Sequence, residues 1–307
     1  MPYLGSYTAD GLAVAAVDPD GSLRLTGTVP GVADASWLAL DDEFLYATNE
    51  RDSGTVTVVD RKTLAVKAKR PSCGDAPTHL CVHPDGFLLV ANYGSGTVAV
   101  LPIAGGEASD VVRYPDGARA HQVLVDPSGE WVVAVDIGTD SIHVHRLAGG
   151  KLLPHRRITA GPGPRHLVWH PDGTRAYLVC EYAPQVITLT WDDGTLTAHG
   201  TYTTAARGNP GEGVVSADGR YLYVTNRGPN TVTTFAVVGN ELLPLQAVAT
   251  GGDWPRHATL DPEERALYVA NQRSGTVTWL PRDPESGLLL PVAGTTSAEA
   301  VAMVLFA

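Results

Sequence analysis

"HPDGFLLVANYGSGTVAVLPI", residues 83–103, decides how the chain folds. A Pro-Asp-Gly turn leads into an apolar run, a Gly-Ser-Gly turn interrupts it, and a second β-branched run follows, which is the pattern of a hairpin. The same order recurs in "YLYVTNRGPNTVTTFAV", residues 221–237. Working outward, the turn ahead of each such run reads "LDDE" (40–43), "HPDG" (83–86), "DPSG" (126–129), "HPDG" (170–173), "SADG" (216–219) and "DPEE" (261–264). The turns end at residues 43, 86, 129, 173, 219 and 264, so the spacing is 43, 43, 44, 46 and 45. A period in the forties with several short strands per unit is the mark of propeller blades. Capped helical periodicity is absent, and the 33 Gly and 22 Pro sit largely in turns, as an all-β chain requires.

The two chain ends supply a seventh unit. "SAEAVAMVLFA" (297–307) reads as an inner strand without its hairpin, and "PYLGSYTADGLAVAAVDPDGSLRL" (2–25) reads as the missing hairpin and outer strand. The expectation is an all-β, seven-bladed β-propeller closed by pairing of N-terminal and C-terminal strands in one blade, with residues 1–307 forming a single domain.

Composition narrows the function classes. The balance of 22 Lys+Arg against 33 Asp+Glu gives a net charge of -11, which argues against a nucleic-acid or anionic-membrane surface. An anionic ligand must then meet a local cationic pocket. Cys73, Cys81 and Cys180 stand far apart without a CxxC spacing, so neither a zinc site nor a disulfide framework is expected. "MPYLGSYTADG" lacks the basic region and apolar core of a secretion signal, and no segment approaches the roughly 18 apolar residues of a membrane span. A cytoplasmic protein is the expectation.

"PRHLVWHPDG" (164–173) and "PRHATLDPEE" (255–264) each place an Arg-His pair ahead of an apolar run that has no structural need of it. In a propeller the innermost strands line the central channel, so residues at their starts meet those of other blades. Arg165, His166, Arg256 and His257 read as equivalent, as do His79 in "PTHL" and His121 in "RAHQV". A ring of cationic or proton-transferring groups at one channel mouth follows. Histidines repeated at this point also fit a hydrogen-bonding role within their own sheets. The two arginines point more directly to a ligand, because a guanidinium grips carboxylate or phosphate bidentately and adds little to strand packing.

These segments, together with "LYATNE", "DAPTHLCVHPDG", "GPGPRHLVWHPDGTRAYLVCEY" and "GGDWPRHATLDPEERALYVANQRSGTV", resemble over nearly the whole chain the seven-bladed lactonase family that contains bacterial 6-phosphogluconolactonase and the fungal carboxy-muconate cyclase. The resemblance implies a glutamate sixteen positions after the family arginine, which is Glu181 for Arg165, and a catalytic histidine of the cyclase branch at His121. Glu50 and Glu212 also fit the family pattern, as substrate contacts or as partners that orient an arginine. Arg227 and Arg119 are further candidates for holding a phosphate. The chain departs from the pattern where "GARAHQV" lacks the usual proline, where "GEGVVS" carries small or apolar residues, and where Cys180 replaces an asparagine.

The resemblance implies a lactone hydrolase acting on a small anionic or sugar lactone, 6-phosphogluconolactone among them. Glu181 or His121 would take a proton from water, and Arg165 and Arg256 would stabilise the oxyanion. His79, His166, His257, Glu50, Glu212 and Arg227 would contribute to substrate binding. No GxSxG nucleophile motif is present, which favours direct attack by water. The ligand spacing of a calcium loop is missing, so no metal or other cofactor is expected. A lactone-forming or lactone-opening cycloisomerase and a non-catalytic scaffold are the alternatives.

Overall fold

The computed structural model describes residues 1–307 and contains no helix, and hence none long and apolar enough to cross a membrane. Seven four-stranded antiparallel sheets form the blades. Six are sequential, over residues 35–71 (blade 1), 77–113 (blade 2), 120–159 (blade 3), 164–203 (blade 4), 209–249 (blade 5) and 255–297 (blade 6). Blade 7 takes its inner strand, Val301–Phe306, from one end of the chain and its other three strands, Pro2–Ser6, Leu12–Val17 and Leu23–Thr28, from the other. Pro2 pairs with Phe306 and Leu4 with Val304, as the sequence predicts. Neighbouring inner strands pack in a circle, and Val301–Phe306 closes it against Ala35–Leu40.

The second strand of each blade explains the long apolar runs. Phe87–Asn92 is buried at every position but the first, and Trp131–Asp136 at every one, because each sheet is covered on both faces by its neighbours. The core is therefore divided into seven apolar clusters, one at each seam between blades. In the repeated turn, Gly86, Gly129, Gly173 and Gly219 adopt φ of 82°, 80°, 73° and 72°, a left-handed conformation that only glycine adopts without strain.

One irregularity recurs and positions the site. Every inner strand carries a β-bulge in its first residues. Opposite regular partners, Thr78, His121, Arg165 and Arg256 are the extra residues of their strands. The residues one step later are His79, Gln122, His166 and His257. The equivalence of His121 with the other three histidines is therefore corrected: His121 occupies the arginine register, because the bulge comes directly after Ala120 in blade 3 as it comes after a proline in the others. A bulge turns the extra side chain out of the alternation and re-aims it.

Two outcomes test this fold. Met303, 2% exposed, packs in the cluster between blades 7 and 1, and its Sδ accepts the Leu38 N–H at 2.8 Å. Met303→Ala should cost about 2–5 kcal/mol in urea unfolding, and a chain ending at residue 300 should show no cooperative transition. The second concerns the three cysteines, which are unpaired. Cys73 is exposed, whereas burial pushes the Cys81 and Cys180 thiols up to about 12. A thiol reagent should label one cysteine quickly in the native protein and all three in denaturant.

Candidate active site

The bulged residues and the ends of the second strands meet at the same channel mouth. At or just past those ends stand Tyr7, Glu50, Tyr93, Ile137, Glu181, Arg227 and Gln272. Buried polar residues at the strand ends hold them there. Asn49 Nδ2 donates to Ala33 O at 2.5 Å, Asn92 Nδ2 to Ser72 O at 3.0 Å, and Asp136 accepts the Arg119 and Gly138 N–H groups at 2.7 and 3.0 Å. In blade 4 this place is taken by Cys180, which makes no comparable bond. There the neighbouring blade substitutes: Asn209 Nδ2 donates to Glu181 O at 3.1 Å.

The result is a cavity of about 220 Å³ lined by Glu50, Thr78, Tyr93, His121, Ile137, Glu181, Arg227 and Arg256. Glu181 Oε2 sits 2.8 Å from Arg227 Nη2 and 3.2 Å from Arg165 Nε. Arg165, 2% exposed, lies beneath this pair, and its Nη1 donates to Gly211 O in blade 5. Gly211 has no room for a side chain: a Cβ there would meet Pro255 O and Thr225 Oγ1, both at 2.8 Å. Arg227 also donates from Nε to Asn209 O at 3.0 Å and from Nη2 to Pro210 O at 2.9 Å. Arg256 differs. Its Nη2 is 3.7 Å from Glu50 Oε2, its guanidinium lies over the Tyr7 ring at 5.2 Å, and it donates no side-chain hydrogen bond to the protein. Tyr7 donates to Glu50 Oε2 at 2.7 Å.

Burial opposes the charges of Glu181 and the three arginines, and the neighbours decide the outcome. Burial pushes the Glu181 carboxyl up, but Arg227 and Arg165 outweigh it and hold the group below its ordinary value. Arg165 is brought down to about 9 by burial and then by Arg227 and Arg256. Burial acts against the charge of Arg256 as well, yet Tyr7, Glu50 and Glu181 leave it raised. His121 falls well below the usual imidazole range, first through burial and then through Arg165 and His166, so its ring is neutral at physiological pH. Three guanidiniums against two carboxylates leave the mouth one net positive charge, in a chain whose net charge is -11.

The structure thus brings His121, Glu181, Arg227, Arg256 and Glu50 to one cavity, with Arg165 just below it. His79, His166, Glu212 and His257 do not line it. They lie deeper in the channel around Trp37, whose ring centroid is 4.2 Å from that of His79, 5.3 Å from His166 and 5.5 Å from His257. The reason is the bulge, after which alternation sends the next side chain inward. Arg119 is exposed at the rim, 5.1 Å over the Tyr93 ring. Tyr7 escaped the sequence reading although it occupies in "GSYTADG" the place that Glu50 and Tyr93 hold in "ATNERDSG" and "VANYGSG".

The chain is thus a seven-bladed propeller with an ion-paired, net cationic cavity at one channel mouth. The chain belongs to the lactonase family with a seven-bladed β-propeller, whose model matches residues 1–306. It is 29% identical over 272 residues to the 6-phosphogluconolactonase of Bacillus subtilis, covering 81% of this chain and 76% of that one. Over 310 residues it is 28% identical to the 6-phosphogluconolactonase of Pectobacterium carotovorum, covering 95% and 93%. The periplasmic gluconolactonase of Pseudomonas aeruginosa superimposes with a TM-score of 0.90 at 29% identity, covering 99% and 98%.

The ion-paired carboxylate makes stability depend on acid. A carboxyl whose folded pKa lies below its ordinary value of 4.5 stabilises the fold above that value, and the contribution is lost as pH falls through the lower, folded one. Glu181→Gln should cost about 1–3 kcal/mol near neutrality. Urea midpoints should show that deficit shrinking as the pH falls from 4.5 through the lower, folded-state value and the wild-type carboxyl also becomes neutral.

Proposed function

We propose that this protein hydrolyses a sugar lactone bearing an anionic group, with 6-phosphogluconolactone the leading substrate, and that it does so in the cytoplasm, where three unpaired thiols suit a reducing compartment. The observation that carries the reading is Arg256. A guanidinium that lines the cavity and gives no hydrogen bond to the protein keeps its donor fork for a ligand. Arg165 and Arg227, committed to Glu181 and to backbone carbonyls, supply fixed positive charge instead.

The division of labour follows from the electrostatics. Glu181, held ionised by two guanidiniums, is a weak base and serves as the countercharge that fixes them. His121 is neutral, and its ring borders the cavity, so it accepts the proton of the attacking water. The hydroxide adds to the lactone carbonyl, and the oxyanion that forms is met by Arg256. When this intermediate collapses, the ring C–O bond breaks and the departing alkoxide takes the proton back from His121, leaving the open hydroxy acid. Burial and the arginines disfavour an imidazolium in the free site. The substrate's anionic group and the growing oxyanion offset that repulsion as the proton arrives, so His121 becomes a better base only when substrate is bound.

Hydrolysis of 6-phosphogluconolactone and of the unphosphorylated lactone, each corrected for spontaneous opening, tests this assignment. His121→Gln should lose on the order of 10²–10⁴ in kcat with the fold intact. Arg256→Ala should raise KM for the phosphorylated lactone more than for the neutral one. Equal effects on the two substrates would remove Arg256 from anion binding, and folded wild-type protein that opens no lactone would overturn the reading.

A further inference from the structure

Below the cavity the channel holds a buried polar group that the chemistry above does not use. His166 Nδ1 lies 2.7 Å from Glu212 Oε1, which also accepts the Gly213 N–H at 3.1 Å. His257 Nδ1 accepts the Val304 N–H at 3.5 Å, so a neutral His257 carries its proton on Nε2, 3.9 Å from Glu212 Oε2. Glu212 is 5% exposed and His166 1%. Beside His79 Nδ1 and Glu212 Oε2, two further buried atoms there find no protein partner, His166 Nε2 and His121 Nδ1. They belong to adjacent rings whose centroids are 5.1 Å apart. Buried polar atoms in native proteins are almost always satisfied, by protein or by a bound water. A link between these two nitrogens, direct or through one water, satisfies both at once.

Resting on the assignment of His121 as the base, we propose that Glu212 and His166 are positioning residues that set which nitrogen of His121 carries its proton. The logic runs along the chain of acceptors and donors. An ionised Glu212 requires the proton of neutral His166 on Nδ1, which leaves Nε2 with a lone pair. His121 then donates from Nδ1 to that lone pair, and its Nε2 is left bare. Since Nδ1 is the nitrogen of His121 that is buried, the bare Nε2 is the one available to the cavity as a base. A neutral Glu212 reverses each step: it donates to His166 Nδ1, His166 carries its proton on Nε2, and His121 presents an N–H to the cavity. That form cannot accept a proton from water.

The charges around the relay bear on its state. Burial pushes the Glu212 carboxyl up, against His257, Arg165 and Arg256, which favour the ionised form. His121 faces Arg165, His166, Arg256 and Arg227, with the Tyr93 ring 6.1 Å away. His166 faces Arg165, His257, Arg256 and Arg227 and is also held neutral, first by burial. Neutral histidines with a defined tautomer are therefore what the channel stabilises, and Glu212 is the one acid in contact with them.

Nitrogen NMR of histidine-labelled protein reads the tautomer without any substrate, so it separates this inference from the lactonase reading. His121 and His166 are assigned by loss of their signals in His121→Gln and His166→Gln. Near neutral pH, wild-type His121 should show a protonated Nδ1 and a bare Nε2, and in Glu212→Gln the two forms should mix, because the amide can either donate to or accept from His166. On a lactone that the wild type opens, Glu212→Gln should lose roughly tenfold or more in kcat with KM little changed, the pattern of a residue that acts on the base and not on substrate binding. A wild-type His121 protonated on Nε2 would overturn the proposal whatever the variants do, as would an identical His121 signal in folded Glu212→Gln.

Discussion

Each sheet in this protein is apolar on both faces, and that constraint governs the rest. A four-stranded sheet with two apolar faces cannot be stable alone. It needs a neighbour on either side, and for a row of such sheets the only arrangement without two uncovered end faces is a ring. The seven seam clusters are the result. Blade 7 completes the circle with strands from both chain ends, so the hydrophobic burial of every blade depends on the pairing of Pro2–Ser6 with Val301–Phe306.

The ring also creates the site. Seven inner strands converge on one axis, each with a bulge near its start, and four of those bulges turn Thr78, His121, Arg165 and Arg256 towards the same mouth. Because each blade is rigidly packed, charges that repel can be held together. Burial, then Arg227 and Arg256, depress Arg165, and burial with Arg256 depresses Arg227, while the carboxylates of Glu181 and Glu50 offset the repulsion. Two of the three arginines are spent on that balance, which leaves the third free to bind. Preorganised positive charge of this kind costs folding stability, and it spares the reorganisation that an oxyanion would otherwise demand at the moment of reaction.

Burial does different things at two depths of the channel. At the mouth, it is overcome by ion pairing, so Glu181 stays charged. One layer deeper it prevails, so the histidines at 79 and 166 are neutral and His257 is brought down to about 4, and it prevails also for His121 at the boundary with the mouth. An ionised layer above a neutral, hydrogen-bonding layer is a natural setting for proton transfer: the upper layer binds and stabilises charge, and the lower one holds protons in defined places.

The architecture was legible in the sequence because it is written in local signals. A turn of fixed chemistry every forty-odd residues, a hairpin after each and two incomplete units at the ends specify seven blades without reference to any contact between them. The partnership of Arg165 with Glu181 is implied by the family resemblance, and in the structure both residues belong to one hairpin whose pairing sets their separation. What could not be read was the depth of each side chain. "PRH" and "RAHQ" look alike as strings, yet a bulge placed one residue differently puts His121 at the mouth with the arginines and His166 beneath it. Nor does any local signal tell that Arg227 of blade 5 reaches Glu181 of blade 4, or that Tyr7 from the start of the chain meets Glu50. Strand order follows from short-range pattern, whereas the charge and proton state of the site follow from distances between blades, and those exist only once the ring has closed.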